Sequence, residues 1–131
     1  MKLCYVIGPY RANTREKINQ NIEDARGEGI RVAAETGMYP VIPQVNTAHF
    51  EMALPSLPDS FWLLGTLALM LECDAVWLCR NWLRSTGSRN EVREAVAGGL
   101  EIYEGGELLD EEEMQEIIDR IDECEGHKAT E

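Results

Sequence analysis

A chain of 131 residues, 44% of them hydrophobic, has enough apolar side chains for one core and too little length for two domains. Its formal charge of −12 is uneven: residues 1–100 carry 11 acids and 10 bases, whereas residues 101–131 carry 13 acids and 2 bases. That balance excludes nucleic-acid polymers, which need a basic face, but not a single nucleotide in a neutral pocket. The longest apolar run, residues 61–71, is far short of the roughly 20 residues that span a bilayer, so no membrane partner is expected. Met1-Lys2 leads straight into an apolar run that reads as a strand rather than a signal peptide. Cys4, Cys73, Cys79 and Cys124 form no C-x-x-C pair and read as reduced thiols of a cytoplasmic protein. His49 and His127 lack ligand spacing, so neither metal nor other cofactor is expected.

In chain order, Leu3–Ile7 reads as a strand ended by Gly8-Pro9. Asn19 or Asn21 could cap a helix running to about residue 35, with Ile22, Ala25, Ile30, Ala33 and Ala34 on a loose apolar stripe. Gly37 stops it, and residues 39–42 form a short strand ended by Pro43. Residues 44–58 read as irregular. Residues 60–72 read as a helix that is apolar nearly all round, through Phe61, Trp62, Leu63, Leu64, Leu67, Leu69, Met70 and Leu71. Such a helix must be buried, and one small domain covers one side more easily than both. A homodimer or higher homo-oligomer through this helix is therefore expected.

Residues 75–79 read as a buried strand, residues 88–97 as a helix and residues 100–103 as a short strand. In the last helix, 109–124, Met114, Ile117, Ile118 and Ile121 follow i, i+3, i+4, i+7 spacing. Helices alternate with strands, so the expected class is α/β with a mostly parallel sheet of about five strands. A single domain is expected over residues 1–126, with 127–131 a frayed tail.

The chemistry concentrates after the 75–79 strand. Ser85-Thr86-Gly87-Ser88 supplies small residues whose backbone N–H groups can face an anion at a helix start, and Glu91 lies one turn further on. Ser88-x-x-Glu91 also spells a capping box, a purely structural use of the same residues. At ~100° per residue Glu91 lies at the edge of the face carrying Ala95. The helix start would favour its ionised form, as a nucleophile needs. Gly8-Pro9-Tyr10-Arg11 ends the first strand and would open at the same sheet edge if the strands are parallel. It lacks G-x-G-x-x-G, so no dinucleotide is indicated. Asp74, just before the buried strand, reads as a turn residue or a second carboxylate.

Together these pieces resemble the nucleoside 2-deoxyribosyltransferase-like superfamily, which includes 2′-deoxynucleoside 5′-phosphate N-hydrolases. The matching segments are Tyr5-Val6-Ile7-Gly8-Pro9-Tyr10, Gly37-Met38-Tyr39-Pro40-Val41-Ile42-Pro43, Leu71-Glu72-Cys73-Asp74-Ala75-Val76 and Trp82-x-x-Ser85-x-Gly87-x-x-x-Glu91-x-x-x-Ala95. The resemblance implies a flavodoxin-like, doubly wound fold with helices on both faces, assembled as oligomers, and a small-molecule nucleoside or nucleotide ligand. It implies that Glu91 attacks C1′ of the sugar and carries a glycosyl-enzyme ester, the double-displacement logic of retaining glycosidases. It assigns the 5′-phosphate to Ser85 and Gly87, with Ser88 beside them, and the sugar and base pocket to Gly8, Pro9, Tyr10 and Arg11. Relatives often carry an Asp where this chain has Thr66; Asp74 or another group would then cover that role. The other reading is a nucleotide-binding module without chemistry, in which Glu91 only caps its helix.

Overall fold

The computed structural model describes residues 1–126; the expected frayed tail lies outside them. Five strands, β1 (Leu3–Ile7), β2 (Tyr39–Val41), β3 (Ala75–Leu78), β4 (Glu101–Glu104) and β5 (Glu107–Leu108), form one sheet in the order β2-β1-β3-β4-β5. The first four are parallel and β5 runs antiparallel to β4. The α/β class and mostly parallel sheet follow the sequence reading.

β5 was not expected. Gly105 and Gly106, both at positive φ (61° and 85°), make the two-residue turn that folds the chain back from β4.

Side chains alternate along the central strands and build two cores. Tyr5 and Ile7 of β1 and Val76 and Leu78 of β3 pack with Met70, Val92, Ala95, Ile117 and Ile121. These come from α4 (Asp59–Leu71), α5 (Thr86–Ala97) and α6 (Glu111–Cys124). Cys4, Val6, Ala75 and Trp77 face the other way, against Ala25 and Val32 of α1 (Arg15–Thr36). Every residue of β3 is buried, as expected for a strand covered on both sides.

Element ends differ from the sequence reading where side-chain capping decides. Thr14 caps α1, its hydroxyl accepting from the Lys17 amide at 3.1 Å, so the helix starts before Asn19 and Asn21. Gly37 ends it at φ 75°. The stretch read as irregular contains two single-turn helices, α2 (Pro43–Asn46) and α3 (Phe50–Ala53).

α4 departs from the expectation of burial. Within the chain only Met70 is fully buried, while Phe61, Leu63 and Leu64 are 52%, 60% and 66% exposed. Among the described residues no helix is long and apolar enough to cross a membrane, and Cys4, Cys73, Cys79 and Cys124 are free thiols.

β1 connects to β2 on one side through α1, and β2 connects to β3 on the other through α4. The strand order therefore reverses between β1 and β3, the place where open α/β sheets hold ligands at their carboxyl edge.

Candidate active site

At that reversal lies a cleft of about 910 Å³, lined among others by Tyr5, Gly8, Thr66, Ser88 and Glu91. Pro9, Tyr10, Arg11, Ser85 and Gly87 also line it. Two loops, starting at Gly8 and at Ser85, thus meet because β1 and β3 are adjacent and parallel.

Asp74 is the exception. It precedes β3 and so lies at the amino edge of the sheet, where its carboxylate accepts from the Leu3 amide at 2.8 Å. Its own N–H donates to the Leu3 carbonyl at 2.9 Å. It closes the start of the β1–β3 ladder and does not line the cleft; the expectation of a second carboxylate there is corrected.

The helix start is also corrected. α5 begins at Thr86, a turn earlier than Ser88-x-x-Glu91 suggests, and Ser85 is its cap, accepting from the Ser88 amide at 3.2 Å. No capping box forms between Ser88 and Glu91. Ser88 is inside the helix, 1% exposed, and its hydroxyl has no hydrogen-bond partner. The first-turn amides of Thr86 and Gly87 have no helical carbonyl to donate to. A side chain built on Gly87 would meet nothing nearer than the Ser85 hydroxyl at 3.9 Å, so the fold itself does not require a glycine. Arg89 holds the turn in place, donating to the Leu83 carbonyl at 2.7 Å and the Thr86 hydroxyl at 3.1 Å. It also pairs with Glu125 of the chain after α6 at 3.0 Å.

Glu91 points to β1. The Tyr5 phenol donates to its carboxylate. Burial raises the Glu91 carboxyl from its ordinary 4.5 to about 7, although the Tyr5 hydrogen bond pulls it down. The expectation of an ionised form held by the helix start fails because Glu91 lies well past the first turn, where the dipole effect fades. Burial and the neighbouring Glu91 charge push the Tyr5 phenol far up, so it remains a donor. Tyr5 was read only as a strand residue; a phenol within an otherwise apolar strand needs a polar partner, and that was the available signal.

The Gly8 loop also has structural work. A Cβ on Gly8 would lie 2.7 Å from the Cys79 sulfur, so the glycine is required by packing against the end of β3. The Tyr10 hydroxyl donates to Glu51 at 2.7 Å and accepts from the His49 amide at 2.7 Å. Burial raises Glu51, but hydrogen bonds from Tyr10 and Arg15 outweigh it and leave its carboxyl below the usual range. Arg11 is paired with Asp59 at 2.8 Å, joining the loop to the start of α4.

Two further residues line the cleft that sequence reasoning did not place there. Asn21, 3% exposed, donates its amide to the Tyr10 carbonyl at 3.0 Å. Gln44, 5% exposed, donates to the Gly8 carbonyl at 3.0 Å. Neither side-chain oxygen has a partner. Among the described residues no group of three or more His, Cys, Asp or Glu is placed to hold a metal.

No family model, curated protein or solved structure matches the chain.

Proposed function

We propose that the protein cleaves or transfers the N-glycosidic bond of a nucleoside or nucleoside 5′-monophosphate, with Glu91 as nucleophile. The observation that carries this reading is the Tyr5–Glu91 pair, set in the cleft alongside the unpartnered Ser88 hydroxyl and the open first turn of α5. An anion at that helix start is favoured by the free amides.

The phosphate would sit on the amides of Thr86 and Gly87 and the Ser88 hydroxyl, with C1′ beside Glu91. Ionised Glu91 forms a bond to C1′ as the C1′–N bond breaks, and the electron pair leaves with the base, which takes a proton from water. Water then adds to C1′, gives up a proton to solvent and displaces the carboxylate; in transfer a second base adds instead and gives up its N–H proton. Tyr5 orients the carboxylate as a charge-assisted donor. A flavodoxin-like, doubly wound class is part of this proposal, supported by the order β2-β1-β3-β4 of the parallel strands. The free buried thiols favour a reducing, cytoplasmic setting.

A nucleotide-binding role without chemistry is favoured by one observation. Glu51 and Asp59, which also line the cleft, are tied to Arg15 and Arg11, and Thr66 offers a hydroxyl where the resemblance expects an Asp. Incubation with deoxynucleoside monophosphates and nucleosides, following free base by chromatography, decides between them. Base release lost in Glu91→Ala supports catalysis. No release from any substrate, with a nucleotide still raising the melting temperature, leaves the binding role.

The exposed Phe61, Leu63 and Leu64 belong in a contact between copies of this chain, because helices this apolar are unfavourable in water. Light scattering is expected to give a dimer or larger; a strict monomer would sink this assembly.

A further inference from the structure

The cleft has unlike ends. At the β3 end it offers donors: the first-turn amides of α5 and the free Ser88 hydroxyl. At the β1–β2 end it is lined by Asn21 and Gln44, whose side-chain oxygens are buried acceptors without a partner. Both amide nitrogens are committed to backbone carbonyls, of Tyr10 and Gly8, and this fixes which way each side chain faces. The amides cannot turn over to offer N–H instead without placing oxygen against carbonyl oxygen.

Two buried acceptors without donors are costly to a protein. The cost disappears when a ligand brings N–H or O–H groups to them. In the proposed reading the phosphate lies on α5 and C1′ beside Glu91, so the group reaching Asn21 and Gln44 is the base.

We propose that Asn21 and Gln44 read the base, and that they select bases carrying an exocyclic amino group over their oxo or unsubstituted counterparts. This rests on the nucleotide reading of the cleft. An amino group turns two N–H donors toward acceptors. A carbonyl at the same position turns lone pairs toward lone pairs, and leaves the acceptors both unpaired and repelled.

The test is isothermal titration in the Glu91→Gln background, which removes turnover. The pairs dCMP against dUMP and dGMP against dIMP differ at the amino group. The amino member of each pair is expected to bind about tenfold or more tightly. Asn21→Leu and Gln44→Met are expected to bring each pair toward parity while inorganic phosphate binds as before. Retained phosphate binding shows that the variants fold. Parity already in the unsubstituted pair of residues overturns the inference and leaves the nucleotide reading standing. Failure of every nucleotide to bind overturns that reading and the inference with it. If Asn21→Leu or Gln44→Met weakens ribose 5-phosphate as much as the nucleotides, the acceptors serve sugar hydroxyls and the base assignment falls.

Discussion

The starts of α5 and α6 are spelled alike and used differently. Asp110-x-x-Glu113 and Ser88-x-x-Glu91 both read as capping boxes. At α6 the box closes: Asp110 accepts from the Glu113 amide at 2.8 Å and Glu113 accepts from the Asp110 amide at 3.0 Å. At α5 the helix starts a turn earlier, Ser88 lies buried without a partner, and Glu91 turns to Tyr5. The α6 start is exposed and satisfies its own polar groups. The α5 start is built into a cleft and leaves polar groups for something else to satisfy. Spelling fixes what a helix start could do; burial fixes which use is taken.

Glu91→Gln should break the comparison most strongly, because only one of the two glutamates has chemistry to lose. Base release is expected to fall by about a thousandfold or more, whereas Glu113→Gln leaves it unchanged. In the wild type, activity is expected to rise with pH through about 7, as Glu91 ionises. Stability should move the other way. Between its ordinary 4.5 and about 7, the folded protein keeps a proton that the unfolded chain has released, so stability falls as pH rises through that window. The whole fall is on the order of 3 kcal/mol, and Glu91→Gln abolishes it. Melting temperatures of both proteins from pH 4 to 8 check this; parallel curves would mean that Glu91 is not held in a protonated form by burial.

Tyr5→Phe removes the donor that distinguishes Glu91 from Glu113. A hydrogen bond to a charged group contributes about 1.5–3 kcal/mol, so base release should drop roughly ten- to a hundredfold. With the donor gone the carboxyl should rise further, moving the pH profile of kcat/KM to higher pH. A rate loss with an unmoved profile would reduce Tyr5 to a packing role.

The sequence revealed the α/β order, the buried β3 and the convergence of the Gly8 and Ser85 loops, because hydrophobic period and turn residues are local signals. It misplaced Asp74 because the resemblance asked for a second carboxylate, whereas a residue that precedes β3 stands at the amino edge, a strand length from the cleft. It missed Asn21 and Gln44 because their significance lies in unpaired oxygens, which exist only once the Gly8 and Tyr10 carbonyls have taken their amides. It offered a capping box at Ser88 that does not form, because Ser85 and Ser88 are equally good caps by type. The Ser85 cap and the contacts of Arg89 with Leu83 and Thr86 mark how far back α5 extends.

Asp110→Ala tests the closed member of the pair. Loss of the cap should cost about 1 kcal/mol in denaturant unfolding. Phosphate and nucleotide affinities should not change, since Asp110 does not line the cleft. A change in ligand affinity would mean that α6 sets the geometry of the cleft, through Arg89 and Glu125, more strongly than its cap energetics imply.

Gly87→Ala gives the smallest change in stability and the sharpest contrast, because two quantities should move in opposite directions. Gly87 lies in the first turn of α5 in ordinary helical conformation, and a methyl there meets no protein atom closer than 3.9 Å. Alanine should therefore stabilise the helix by about 0.5–1 kcal/mol. The glycine leaves open a space that the fold would let an alanine fill. In the proposed reading the anion takes that space, because it must approach the Thr86 and Gly87 amides closely. Inorganic phosphate should bind on the order of tenfold more weakly to the variant, equivalent to ~1.4 kcal/mol, even as its melting temperature rises. A rise in stability with unchanged phosphate affinity would make the first turn of α5 an ordinary helix start like that of α6, and the unpartnered Ser88 hydroxyl would then need another ligand.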